Sequence, residues 1–331
     1  MSRTRYNIFI VMLLAWAVLL VGDFIQVQAA TDWGKHLRTM TSLWQLGHEY
    51  WYGVLNSSIV VIPGVTACWW TAKRYGGLSS HIGRAIVSLT VGTILWGFGN
   101  IIWFYSNSCN LLPGFMKCKA AIAIVYPSWP DVGYLAILPF SAAGLVFLTR
   151  VIAVPARDYL KLAWIPLVTA AVTVWFLGFA FGHYVNPHAN AAEKVTSGVY
   201  ILSDVILMSL ALMLLVFSRR TTGGVFFPPM IGYAMGLVWL WVADMLFFPR
   251  IFFGEHTKLI PHSRIGHFLF QGYYNGDVSD LVYGVSIISI TFGTFLFARA
   301  EQKMLLQMRE LETSLLPLSS ENGKGTDGSP V

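Results

Sequence analysis

Charge is what this sequence has least of. Only 11% of its residues are Asp, Glu, Lys or Arg, against roughly 25% in an average soluble domain, so most of the chain cannot face water. Cysteine is nearly absent, with 3 in 331 residues, which excludes a disulfide-stapled scaffold. The motifs of soluble chemistry are missing as well. There is no Gly-x-x-x-x-Gly-Lys-Ser/Thr loop for nucleotide phosphates and no Gly-x-Ser-x-Gly nucleophile elbow. Neither His-Glu-x-x-His nor Cys-x-x-Cys occurs, so no cofactor and no metal is expected. No soluble catalytic domain is expected, and enzyme chemistry is the lesser reading.

What is present is apolar and aromatic. Hydrophobic residues make up 56% of the chain, with 13 Trp and 22 Phe, and many of the rings sit at the ends of apolar runs, where the headgroup layer favours them. The net charge of +6 is scattered in short clusters, without the basic stripe and interleaved aromatics of a nucleic-acid binder. The expected partner is therefore the lipid bilayer and not nucleic acid.

Apolar runs near the ~20 residues that span a hydrocarbon core lie at Tyr6 to Gly22, Trp51 to Ala72, Ala85 to Tyr105 and Asp131 to Val151, then at Leu162 to Gly182, Ser197 to Phe217, Met230 to Phe248 and Val278 to Ala298. They predict an all-α fold, a polytopic transmembrane bundle of about eight helices over residues 1–300. With the N-terminus in the cytoplasm, 14 of the 22 Lys and Arg residues fall inside, among them Arg3, Arg5, Lys73, Arg74, Arg219 and Arg220, and the C-terminus does too. The excess inside follows the positive-inside rule. Met1 to Arg5, the first apolar run and Val27-Gln28-Ala29 also have the layout of a secretory signal. That run exceeds the usual apolar region of about 7 to 15 residues, so a retained first helix is expected over cleavage. Cys109 and Cys118 share one outer loop, where a local disulfide and two unrelated thiols both stand as readings.

After the last run, Met304, Met308, Leu311 and Leu315 form an a/d seam of about two heptads. Residues 301–316 therefore read as a cytoplasmic amphipathic or coiled segment, leaning on the membrane or making a homodimer contact. From Pro317 to the end, residues 317–331, Ser, Gly, Asn and Asp mark a disordered tail.

The chain also repeats itself. Helices entering from the outer face begin Glu49-Tyr50-Trp51-Tyr52, Asp131-Val132-Gly133-Tyr134, Asp204-Val205-Ile206-Leu207 and Asp280-Leu281-Val282-Tyr283. Among the outgoing helices, Leu95-Trp96-Gly97-Phe98-Gly99-Asn100 with Phe104 aligns with Trp239-Leu240-Trp241-Val242-Ala243-Asp244 with Phe248. A duplicated helical hairpin accounts for both patterns.

Acidic residues cost roughly 2.5 to 3.5 kcal/mol at the centre of a bilayer and normally face a bundle interior or a wet cavity. Asp23, Asp131, Asp204, Asp244, Asp277 and Asp280 all map to the outer half of the expected helices, with Asn100 at the matching level. They are candidates for one outward-facing ligand pocket, walled by Trp96, Trp103, Tyr134, Trp239, Trp241 and Tyr283. Carboxylates and aromatic faces suit a small amphipathic or cationic ligand. Asp131, Asp277 and Asp280 stand at helix starts, where capping is the simpler role. Asp204 and Asp244 lie inside their runs and are the leading functional candidates, against a structural interhelical hydrogen bond.

Seven histidines, His36, His48, His183, His188, His256, His262 and His267, fall in outer segments or at their edges, and His81 in an inner loop. The spacings of His183 with His188 and of His262 with His267 do not put both on one helix face, so interfacial polar residues are expected and not a metal site. No Lys lies within an expected span to form a retinal Schiff base. Gly76-Gly77 and Gly223-Gly224 read as turns.

Pro127-Ser128-Trp129-Pro130-Asp131-Val132-Gly133-Tyr134-Leu135, continuing to Pro139 and Gly144-Leu145, is similar to a pattern in the membrane input regions of some bacterial signalling proteins. Those regions precede histidine kinase domains or the GGDEF and EAL domains that make and break cyclic di-GMP. In that family the final helix leads through a short coiled segment into an enzyme domain, and Arg299 to Leu316 looks like the first part of that linker. The sequence ends soon after it, so the resemblance implies output through a separate cytoplasmic signalling protein. A sensor or receptor-like subunit is the expected function. Its rivals are a secondary transporter, with Pro63, Pro139 and Pro166 breaking helices, a membrane-embedded lipid-modifying enzyme, and an anchoring subunit of a larger complex.

Overall fold

The computed structural model describes residues 61–111, 127–152, 156–181, 190–221, 225–253 and 278–321, with positions 11, 14, 17, 18 and 21. Those five isolated positions of the first apolar run are helical. The described chain is all-helical: α1 Val61–Arg74, α2 His81–Leu111, α3 Trp129–Ile152, α4 Ala156–Lys161, α5 Trp164–Phe181, α6 Ala191–Thr221, α7 Phe227–Phe253 and α8 Val278–Glu321. By length and composition 5 of them, α2, α3, α6, α7 and α8, can cross a membrane. The chain is a multi-pass helical membrane bundle. Asp23, Asp277, Cys118, Gly223-Gly224 and the seven outer histidines lie outside the described residues.

Local chemistry explains several helix starts. Asp131 caps the start of α3: the Ser128 backbone N–H donates to Asp131 Oδ2 at 2.5 Å and the Ser128 hydroxyl donates to the same oxygen at 2.8 Å. The neighbouring Pro130 sits in the first turn, where no N–H is needed. Asn190 and Glu193 form a reciprocal capping box at α6, with Glu193 N–H donating to Asn190 Oδ1 at 2.9 Å and Asn190 N–H donating to Glu193 Oε2 at 3.0 Å. Between α1 and α2 the chain turns through Gly76 and Gly77, at φ 81 and 56, a left-handed backbone that favours glycine. Ser80 Oγ then accepts the Gly83 N–H at 2.9 Å to cap α2.

Two antiparallel hairpins, α2–α3 and α7–α8, make the most extensive helix contacts. Lipid supplies no hydrophobic drive between helices, so close packing over small residues must hold them. A Cβ added at Gly133 would stand 2.6 Å from Leu95 O, and one at Gly293 would stand 2.7 Å from Tyr233 N. The glycine contacts also recur between hairpins. The register that pairs Asn100 with Asp244 pairs Gly92 with Gly236 and Ala85 with Pro229, and the register that pairs Tyr134 with Tyr283 pairs Ile137 with Ser286 and Gly144 with Gly293. Gly92 faces the Ile137 carbonyl as Gly236 faces that of Ser286, and Gly144 faces the Ala85 carbonyl as Gly293 faces that of Pro229. The bundle is thus built from repeated helix pairs, as the sequence repeat implies. Helix α1 packs on α2 and α8, and α6 joins the two hairpins by touching α3 and α7, with α5 on its flank.

Helix α8 has 44 residues, a rod of roughly 66 Å at 1.5 Å per residue, about twice a hydrocarbon core of ~30 Å. It therefore projects well beyond the membrane. Residues 317–321 belong to it, so the helix passes Pro317, where the sequence pattern marks the start of a loose tail.

Where α8 leaves the bundle it is tied to the end of α1. Arg74 and Glu301 form an ion pair at 3.1 Å, the Arg74 guanidinium lies 3.9 Å from the centre of the Trp70 ring, and the Tyr75 hydroxyl donates to the Phe297 carbonyl at 2.5 Å. Burial, reinforced by the Glu301 carboxylate, pushes the Tyr75 phenol well above its ordinary value, so it keeps its hydrogen and remains a donor.

Candidate functional site

In the half of the bundle away from Arg74, Arg84, Arg150 and Arg219, polar side chains from five helices converge. Each hairpin contributes one hydrogen bond at the same level. In α2–α3 the Tyr134 hydroxyl donates to Asn100 Oδ1 at 2.9 Å. In α7–α8 the Tyr283 hydroxyl donates to Asp244 Oδ1. These are equivalent positions of the repeat, so the duplicated hairpin carries a duplicated polar pair in which one copy holds an amide and the other a carboxylate.

Trp96 lies between the pairs. Its ring centroid is 6.1 Å from that of Tyr134 and 6.3 Å from that of Tyr283, both tilted, within the range in which aromatic edges and faces attract. Trp96 is 4% exposed, which makes it the wedge that joins the hairpins.

Helix α6 brings the third set of groups. Asp204, near the middle of α6, is 4% exposed, and Asp244 is 7% exposed. The two carboxyl groups stand within hydrogen-bonding reach of each other. Asp204 Oδ2 is buried without a hydrogen-bond partner. One turn before Asp204, Tyr200 donates its hydroxyl to Asp131 Oδ1 at 2.8 Å. Asp131 thus has two roles, with Oδ2 capping α3 and Oδ1 anchoring α6. Capping alone does not describe it.

The structure brings together Asn100, Asp131, Asp204, Asp244, Tyr134, Tyr283 and Trp96. Asp280 is also buried, in the first turn of α8 and one turn before Tyr283. Trp241 goes elsewhere: its Nε1–H donates to Thr173 Oγ1 of α5 at 3.0 Å, and the Thr173 hydroxyl donates in turn to the Thr169 carbonyl at 2.8 Å. Trp241 therefore locks α7 to α5. Sequence reasoning missed Tyr200, whose signal was available, since an aromatic hydroxyl four residues before Asp204 shares its helix face.

The acids are enclosed, not rimmed by water: Asn100, Asp131, Asp204, Asp244 and Asp280 are each at most 8% exposed. Among the described residues no basic side chain pairs with Asp204 or Asp244. Buried carboxylates without a basic partner are costly in a membrane and mark ion or substrate sites by default. The arrangement can hold a positively charged species between two carboxylates, with Tyr283 fixing one of them and aromatic rings closing the side. No family model, curated protein or solved structure matches the chain.

Proposed function

We propose that this chain is a membrane sensor or receptor-like signalling subunit. The buried polar cluster reads a ligand, and α8 transmits the result to a cytoplasmic signalling protein. One observation carries the reading: α8 bears Asp280 and Tyr283 at the cluster and runs without a break to Glu321. A change in how Tyr283 and Asp244 meet would tilt or rotate a rod whose far end lies outside the bilayer. The mechanism is a shift between two packings of α8 on α7 that the ligand binds unequally. The likeness of Pro127 to Leu145 to bacterial signalling input regions supports the same reading. In this proposal both termini are cytoplasmic, and the tail contacts its partner or a second copy of the chain.

The test is purification in mild detergent through a C-terminal tag, with mass spectrometry of what accompanies the protein. A kinase, cyclase or response protein that is lost when Arg299 to Leu316 is removed supports the sensor. A preparation free of such partners moves the weight to a second reading, a secondary transporter, favoured by the Asp204 Oδ2 left without a hydrogen-bond partner inside a span. Ion-dependent uptake of a small solute into proteoliposomes would identify that activity.

A further inference from the structure

The Asp204 carboxylate is the least satisfied group of the cluster. Its Oδ2 is buried with no donor, whereas Asp244 Oδ1 accepts from Tyr283 and both oxygens of Asp131 accept from Ser128 or Tyr200. An unpartnered buried oxygen in a low-dielectric interior is retained only where something completes it. Beside it stands a second carboxyl group, so what completes the pair carries positive charge. Its surroundings are closed to water. Leu207 and Leu240, about one turn along from Asp204 and Asp244, are each at most 5% exposed, as are Trp96 and Ala243. A proton needs no ligand beyond the two carboxyl groups, whereas a divalent ion such as calcium takes roughly 6–8 oxygens, and an alkali-metal ion would draw further oxygens from backbone or water.

We propose that the Asp204–Asp244 pair, held between α6 and α7, binds one small monovalent cation, either a proton or an alkali-metal ion. That this cation is the signal the cluster reports rests on the sensor reading; the binding site itself does not. The titratable groups around the pair are Tyr200 on α6, Tyr283 and Asp280 on α8, and Asp131 and Tyr134 on α3. Helix α2 presents Asn100 and Trp96, and α5 has no titratable residue between Trp164 and Phe181. Tyr283 couples the site to α8, because any change of charge on Asp244 alters the hydrogen bond it accepts.

The experiment uses the full chain in nanodiscs, with two measurements on wild type, Asp204→Asn and Asp244→Asn. Infrared difference spectroscopy across a pH series reads the carbonyl stretch of a protonated carboxyl group. Equilibrium binding of radioactive sodium and rubidium reads alkali ions. A pH-dependent carboxyl band that Asp204→Asn removes assigns a proton. Saturable binding of about one alkali ion per chain, weakened tenfold or more in either variant, assigns an alkali-metal ion. If wild type shows no alkali binding and no titrating carboxyl band, or if a band or ion survives unchanged in both variants, the proposal is overturned. A wild type with neither alkali binding nor a titrating band overturns the proposal even where a variant fails to fold. A cation site found in a protein with no cytoplasmic partner would retain this inference and remove the sensor reading.

Discussion

The Tyr283 hydroxyl donates to Asp244 at the position where, in the other hairpin, the Tyr134 hydroxyl donates to Asn100. The two bonds have the same geometry of helices and differ in one respect, the charge available to the acceptor. A duplicated fold has kept a neutral copy for holding α2 to α3 and a charged copy beside Asp204. That difference separates structure from chemistry within the site, and it can be tested by exchange.

Asp244→Asn should keep the Tyr283 bond, since the amide oxygen accepts as Asn100 does, and should change stability by less than about 1 kcal/mol. Tyr283→Phe leaves a buried carboxylate oxygen without its donor and should cost about 1–3 kcal/mol. Thermal unfolding in one detergent measures both. Equal losses in the two variants would show that the negative charge, and not the hydrogen bond, holds α7 to α8.

Close helix approach gives a second expectation. Gly133→Ala places a methyl 2.6 Å from Leu95 O and 2.7 Å from Gly99 N, and Gly293→Ala places one 2.7 Å from Tyr233 N. Each neighbour is backbone, which cannot step aside as a flexible side chain does. Overpacking of this kind costs about 1–3 kcal/mol. Gly198→Ala, with nothing within 4 Å of the added atom, is the control and should be neutral or slightly stabilising. The same melting assay reads all three, and a Gly133→Ala protein as stable as Gly198→Ala would contradict the packing.

The sequence made these elements legible to different degrees. Long apolar runs located α2, α3, α6, α7 and α8 because a bilayer leaves few ways to place such a run. The repeat was visible in Asn100 against Asp244 and Tyr134 against Tyr283, since a polar residue inside an apolar run stands out. Which of those residues touch was not readable, because apolar residues surround each span and hide the buried face. Trp241 and Trp96 look alike in sequence, yet one bonds Thr173 and the other wedges between two tyrosines. The double use of Asp131 was hidden for the same reason: capping is a local pattern, whereas the Tyr200 bond depends on how α6 meets α3.

The tie between α1 and α8 predicts a coupled pair. Arg74 and Glu301 are 26% and 19% exposed in their side chains, so solvent screens their attraction only in part. A double-mutant cycle on Arg74→Ala and Glu301→Ala should return a coupling of about 0.5–2 kcal/mol. Tyr75→Phe should cost about 1 kcal/mol or less, because the Phe297 carbonyl also belongs to the helical ladder of α8. Additive losses in the cycle would mean that the two side chains lie together without supporting each other.

Orientation yields the last expectation. Helices α3 and α6 carry Arg150 and Arg219 in their last turns, α1 ends in Lys73-Arg74, and α8 carries Arg299 where its apolar run stops, so one end of the bundle collects basic residues that resist translocation. On the positive-inside rule that end is expected in the cytoplasm, with the polar cluster toward the opposite leaflet. In a chain whose three native cysteines are replaced by serine, a cysteine at Lys303 should react with a membrane-impermeant maleimide only after the cells are opened. A cysteine at Lys194, in the first turn of α6, should react in intact cells. The reverse pattern would put the α8 extension outside, where no cytoplasmic protein can read it, and would remove the sensor proposal while leaving the Asp204–Asp244 pair and its packing untouched.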